Sequence, residues 1–232
     1  MENYFEKEQY INPSLADADG LLSRYETFNL FMDIADDHAG SMGVAWRDIS
    51  PRDLFWLTVK TKIVFEERPK LGDTVTLATW VEEPTRLRGD RNYEMRMGGK
   101  VLVRGRTDWA VLNTKTMKLV PIDDVYPEGL DYSRPSACPE GFTRIRDRFD
   151  ASDRYAEYTV RSTDIDVGHH MTTRNTYKRC SARSRMKNCA RCVRSRSTSS
   201  SATLSTRAMY WLSTNSPPRP VLTSGSPGSR TT

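Results

Sequence analysis

The segment TDIDVGHHM, residues 163–171, places two carboxylates and two imidazoles, Asp164, Asp166, His169 and His170, within seven residues. An imidazole beside a carboxylate can take a proton from water and pass it on, because histidine titrates near neutrality and the carboxylate fixes its orientation. An Asp-x-x-x-His spacing by itself is more often surface or capping chemistry. The four side chains could crowd a cation, but zinc wants defined tetrahedral ligands, so no metal centre is expected. Cys189 and Cys192 form a C-x-x-C pair with only Cys180 nearby and no second pair at zinc spacing, so they too are not expected to form a site. His38, spaced on a helix beside Phe31 and Ile34, is expected to be a hydrogen-bonded structural histidine.

The elements that must hold such a site come earlier in the chain. Leu22, Tyr25, Phe28, Met32, Ala35, Ala39 and Met42 recur every three or four residues, predicting a helix from Ser23 to about Met42. Ser23 and Glu26 have the spacing of a capping box, and Gly40 and Gly43 mark the end. Residues 4–11, 55–65, 74–81, 91–97 and 101–112 are expected to be strands. Most are rich in β-branched and aromatic residues, and turn residues punctuate them. One helix followed by long antiparallel strands is an α+β pattern, in which a sheet can wrap the helix. Residues 121–150 carry Pro121, Pro127, Pro135 and Pro139 and are expected to connect units. Residues 154–167 then open on a strand pattern again, as if a second copy of the unit began.

Charge divides the chain. Of 35 Lys and Arg, 12 lie in residues 172–232, leaving 23 against all 30 acidic residues before them, about −7 followed by +12. The basic character is therefore a property of the tail. No stretch approaches the ~20 apolar residues of a membrane span, the N-terminus lacks a signal-peptide pattern, and one cysteine in 171 residues is no disulfide framework. A soluble, cytoplasmic protein is expected.

Four pieces carry a resemblance: DIADDHAGSMGVAW (33–46), RPKLGDTVTLATWVEEPTRLRGDRNYEMR (68–96), TDWAVLNTKTMKLVPI (107–122) and YTVRSTDIDVGHHM (158–171). In this order they resemble the acyl-ACP thioesterases, which are built from two tandem hot-dog domains. The resemblance implies an α+β hot-dog fold, an antiparallel sheet around a central helix, with one complete N-terminal copy over 1–130. A linker over 131–150 and the start of a second copy over 151–171 would follow. It implies release of free fatty acid from acyl-ACP in fatty acid biosynthesis, with His170 as the catalytic imidazole, Asp166 orienting substrate or base, and no cofactor or metal. The backbone amides of the helix that opens after Met171 would polarise the carbonyl. Gly168 stands where the family usually has an Asn. The carrier protein is the implied partner, and Arg86, Arg88, Arg91, Arg96, Lys100, Arg104 and Arg106 are either a solvated face or its docking patch. Trp56, Leu57, Val59, Ala78 and Trp80 are candidates for core or acyl-tunnel wall.

After Met171 the family pattern stops. Thr172 and Thr173 replace two Asn, and no Asp or Glu follows. Permitted codons for 171–179 exist that, with one adenine restored, read Met-Asn-Asn-Ala-Lys-Tyr-Ile-Gln-Ala, which returns the motif. Residues 172–232 are accordingly expected to be an out-of-frame, disordered, Ser/Thr/Arg-rich tail, with activity impaired by loss of most of the second domain. The alternative is a non-enzymatic binding protein whose basic tail holds nucleic acid.

Overall fold

The computed structural model describes residues 2–142, 159–165, 172, 175 and 176, together with the backbone of 200–205. Its elements are β1 (Phe5–Tyr10), α1 (Arg24–Ser41), the short α2 (Trp46–Ile49), β2 (Leu54–Phe65), β3 (Thr74–Val81), β4 (Gly89–Met97), β5 (Lys100–Asn113), β6 (Lys118–Val120) and β7 (Ser200–Ser205). The strands form one antiparallel sheet in the order β1-β3-β4-β5-β2-β7, with β6 added to the end of β5. The sheet curls around α1, as expected from one apolar helix followed by long strands.

α1 is buried on most of its circumference. Phe28, Leu30, Phe31, Ile34, Ala35 and Ala39 are all buried, and Met32 is partly so. Fully burying a side chain of this size contributes roughly 1.5–3 kcal/mol, enough to set the sheet's inner face. That face carries Val75 and Leu77 of β3 and Tyr93 and Met95 of β4. The Phe31 and Tyr93 rings stack at 4.8 Å, directly over Gly105 of β5. The capping box is not made: Ser23 is the N-cap but its side chain makes no cap hydrogen bond. Glu26 instead accepts from Asn29 Nδ2 at 2.7 Å, a bond to its own helix face that draws the carboxylate away from the N-cap.

β2 contains a bulge. Its register on β5 shifts between Thr58 and Lys60. Before the shift Leu54 and Trp56 pack inward, and beyond it Ile63 and Phe65 do. One extra residue reverses the alternation of faces, so Lys60 and Lys62 turn to the outer side.

The proline-rich connector does more than join units. Its first part packs Ile122, Val125, Tyr126 and Leu130 against the C-terminal end of α1. The remainder crosses the outer face of the sheet. Trp80 Nε1 donates to the Pro135 carbonyl at 3.1 Å, Arg104 to that of Ala137 at 3.0 Å, and Lys62 to that of Gly141 at 2.7 Å. Asn92 Oδ1 accepts the Ala137 amide at 2.9 Å.

Two expectations differ from what is seen. The strand expected over 154–167 is, in its described part, a single 3-10 turn at Ser162–Asp164. In the tail, where no order is expected, Ser200–Ser205 lies antiparallel along Lys60–Phe65. The physical reason lies in β2, whose far edge would otherwise leave a row of backbone N–H and C=O groups unpaired. An uncharged extended segment such as SSATLS can satisfy them.

Candidate functional site

Between the C-terminal half of α1 and the start of β2 lies a cavity of about 230 Å³. Small side chains on α1, Ala35 and Ala39, make the space, while Phe55 and Trp56 of β2 and Trp109 of β5 wall it. The Trp56 indole N–H donates to the Val44 carbonyl at 2.8 Å, and its ring meets Trp109 edge-on at 6.2 Å and Tyr126 at 5.7 Å. These contacts hold the aromatic wall in one arrangement. The mouth carries exposed Asp36 and Trp46, and the buried end carries Arg91, only 4% exposed. The lining is mostly apolar, and an apolar concave surface of this kind suits an apolar ligand group.

Arg91 reaches the interior because it shares the inward row of β4 with Tyr93 and Met95. Its Nη1 lies 2.8 Å from His38 Nδ1 and 3.3 Å from Thr79 Oγ1. Arginine only donates, so Nδ1 is the acceptor and the imidazole proton sits on Nε2. That Nε2 is buried and has no hydrogen-bond partner among the described residues. Burial, reinforced by the Arg91 charge, pushes His38 down to about 3, so the ring stays neutral. His38 is thus hydrogen-bonded within the fold, as expected.

Asp166 and His170, the catalytic pair implied by the resemblance, lie outside the described residues, as do Gly168 and His169. The flanks of their segment are described. Asp164 is 1% exposed, and its carboxylate accepts the Arg161 amide at 2.9 Å. The Thr172 amide donates to the Asp164 carbonyl at 2.8 Å. Thr172 then behaves as a helix N-cap. Its hydroxyl accepts the Asn175 amide at 2.9 Å and its carbonyl the Thr176 amide at 3.0 Å. Among the described residues, no three His, Cys, Asp or Glu side chains gather as a metal would need.

The basic residues do not all share one solvated face. Arg96, Lys100 and Arg104 pair with Glu6, Glu67 and Glu66, and Arg106 with both Glu82 and Asp90. Arg104 and Arg106 also lie under the connector, and Arg91 is inside the fold. Among the tunnel candidates, Trp56 lines the cavity. Ala78 and Trp80 belong to the other face of β3, where the connector covers Trp80. Leu57 and Val59 are half-buried and do not line the cavity.

Residues 2–130 match the family model described as the acyl-ACP thioesterase N-terminal domain. The chain is 28% identical over 155 residues to the chloroplastic acyl-acyl-carrier-protein hydrolase FATB3 of Cuphea viscosissima, covering 62% of this chain and 38% of that protein. It is 25% identical over 183 residues to the chloroplastic oleoyl-acyl carrier protein thioesterase 1 of Arabidopsis thaliana, covering 71% and 51%. The chain thus spans about half or less of these relatives. An acyl-ACP thioesterase from Bacteroides thetaiotaomicron superimposes with a TM-score of 0.64 at 21% identity, over 81% of this chain and 76% of that one. The 12:0-ACP thioesterase from Umbellularia californica does so at 0.63 and 20%, over 75% and 68%. These likenesses show the fold, a hot-dog sheet curled around its central helix.

Proposed function

Because this chain belongs to the acyl-ACP thioesterase family, we propose that it derives from an enzyme that hydrolyses the thioester of acyl-ACP. Water adds its oxygen to the acyl carbonyl, the carbon–sulfur bond breaks, and free fatty acid and the carrier thiol leave. The observation that carries this reading is the family match over residues 2–130. His170 takes the proton from the attacking water, Asp166 holds the base or substrate in register, and amides at the start of the following helix stabilise the developing oxyanion. The N-cap hydrogen bond at Thr172, whose hydroxyl accepts the Asn175 amide, supports a helix start at that point. The acyl chain runs along Trp56 and Trp109, the carrier protein is the partner, and no cofactor takes part.

We also propose that residues 172–232 are an out-of-frame reading of the second domain, and that the polypeptide as written hydrolyses little. A half-built second unit cannot hold the sub-ångström geometry that general-base chemistry needs. The test is thiol release from acyl-ACP by three proteins: the chain as written, the chain with one adenine restored after the Met171 codon, and the restored chain carrying His170→Ala. Hydrolysis should be clear only in the second. Equal rates in the first two refute the frame proposal, and an active His170→Ala refutes the assignment of the base.

A further inference from the structure

Among the described residues, Arg91 is a buried cation without a counter-ion. Its neighbours Arg88, Arg96, Arg104 and Arg106 each meet a carboxylate, whereas among the described residues Arg91 meets none. Its two hydrogen bonds both come from Nη1 and both go to neutral groups, the His38 imidazole and the Thr79 hydroxyl. Guanidinium stays charged under all conditions a protein meets. An ion held out of water is costly unless paired, so such a site has a strong chemical appetite for an anion.

The cavity places that cation where a ligand can reach it. Arg91 lines its buried end, behind a wall of Phe55, Trp56 and Trp109. Among the described residues lining it, Asp36 alone is acidic, and it is exposed at the mouth. Tyr126, also in the lining, stays protonated, its hydroxyl pushed up to about 12 by burial. An apolar slot that ends on a guanidinium with no carboxylate partner among the described residues matches one ligand class: an alkyl chain bearing a carboxylate, which the donors not used by His38 and Thr79 can bind.

We propose that the cavity is a receptor for free medium-chain fatty carboxylates, which enter head first, with the carboxylate on Arg91 and the methylenes against Trp56 and Trp109. The assignment of the alkyl chain rests on the acyl-pocket reading above, while the head-group assignment rests on Arg91 alone. In the proposed reaction the free carboxylate is the product, so occupancy of the cavity would report product concentration. It needs no catalytic turnover and is a property of the chain as written.

Titration of the full chain with sodium octanoate and with 1-octanol tests this. Binding is followed by calorimetry and by the fluorescence of the three tryptophans lining the cavity, Trp46, Trp56 and Trp109. A charge-assisted hydrogen bond predicts octanoate tighter than octanol by about tenfold or more. Arg91→Met should bring the two ligands within about twofold, and Arg91→Lys should keep part of the preference. Comparing the two ligands on the unaltered chain needs no variant, and Ala39→Met, which fills the slot, should weaken both ligands. Equal binding of octanoate and octanol overturns the carboxylate assignment and leaves the alkyl-chain reading standing. Binding of neither overturns both, and a preference that survives in folded Arg91→Met overturns the role of Arg91.

Discussion

Gly105→Ala probes a close approach between sheet and helix in the core. A methyl group built at Gly105 would lie 2.8 Å from Phe31 Cε2, 3.0 Å from Phe31 Cδ2 and 3.2 Å from Tyr93 Cδ2. Neither ring can yield easily. Phe31 and Tyr93 are 1% and 0% exposed and already stacked on each other. Overpacking of this kind costs about 1–3 kcal/mol, with the sign opposite to the roughly 0.5–1 kcal/mol that replacing a strand glycine by alanine otherwise gains. With a urea slope of about 1–3 kcal/mol per molar for a small domain, a 2 kcal/mol loss moves the unfolding midpoint by about 1 M. The assay is urea unfolding followed by circular dichroism, for Gly105→Ala, Phe31→Leu and the double variant. Truncating Phe31 makes room for the methyl, so the double variant should be more stable than the sum of the single losses by at least about 0.5 kcal/mol. A neutral or stabilising Gly105→Ala, or strict additivity, would show that the contact does not carry the packing claimed for it.

Three further outcomes are expected. His38 is held at about 3 in the fold against 6.5 when free, so the unfolded chain binds the extra proton: its contribution is intact above about pH 6.5 and is lost as pH falls toward 3, by at most about 1.4 kcal/mol per unit. His38→Gln should flatten that part of a stability–pH curve, and an unchanged slope rules the titration out. Cys138 is fully buried and its thiol is pushed up to about 11 by burial and by Glu140, so alkylation mapped by mass spectrometry should reach it in urea and not in buffer; labelling at equal rates in both would contradict its burial. The Lys62 ammonium is buried at 2.9 Å from Glu140, so Glu140→Ala should destabilise more than Lys62→Met, because the first strands a buried cation and the second removes it; thermal melts in the reverse order would refute this.

The sequence makes some of these features readable and hides others. The spacing of Phe28, Met32, Ala35 and Ala39 is enough to find α1, because a buried helix must repeat its apolar residues at the helical period. The strands are as visible, since β-branched and aromatic residues fill them between turn signals. Arg91 reads as one more surface cation in a basic region, yet the alternation already carried its true direction: Tyr93 and Met95 point inward, and residue 91 shares their row. The bulge in β2 is invisible because no residue type requires it, and it decides that Lys62 meets the connector. Ser23 and Glu26 have the right types for a capping box, but Asn29 competes for Glu26. The connector's prolines announce a boundary, though not that its backbone would become hydrogen-bond acceptors for an outward row of Trp80 and Arg104. Of the candidate site, the aromatic wall is partly legible in Trp56, whereas the cavity itself depends on Ala35 and Ala39 facing Phe55, a pairing that only the tertiary fold creates.

The strapped connector also determines where the rest of the polypeptide starts its search. Phe142 is not at the end of a loose tether; its ring sits 5.8 Å from the Lys60 ammonium and 5.6 Å from the Arg106 guanidinium. Lys60 belongs to the strand whose far edge is pairing with Ser200–Ser205. The chain therefore leaves Phe142 beside the edge that Ser200–Ser205 pairs with. An extended, uncharged segment needs only its backbone groups to pair with that edge, which is what Ser200–Ser205 does.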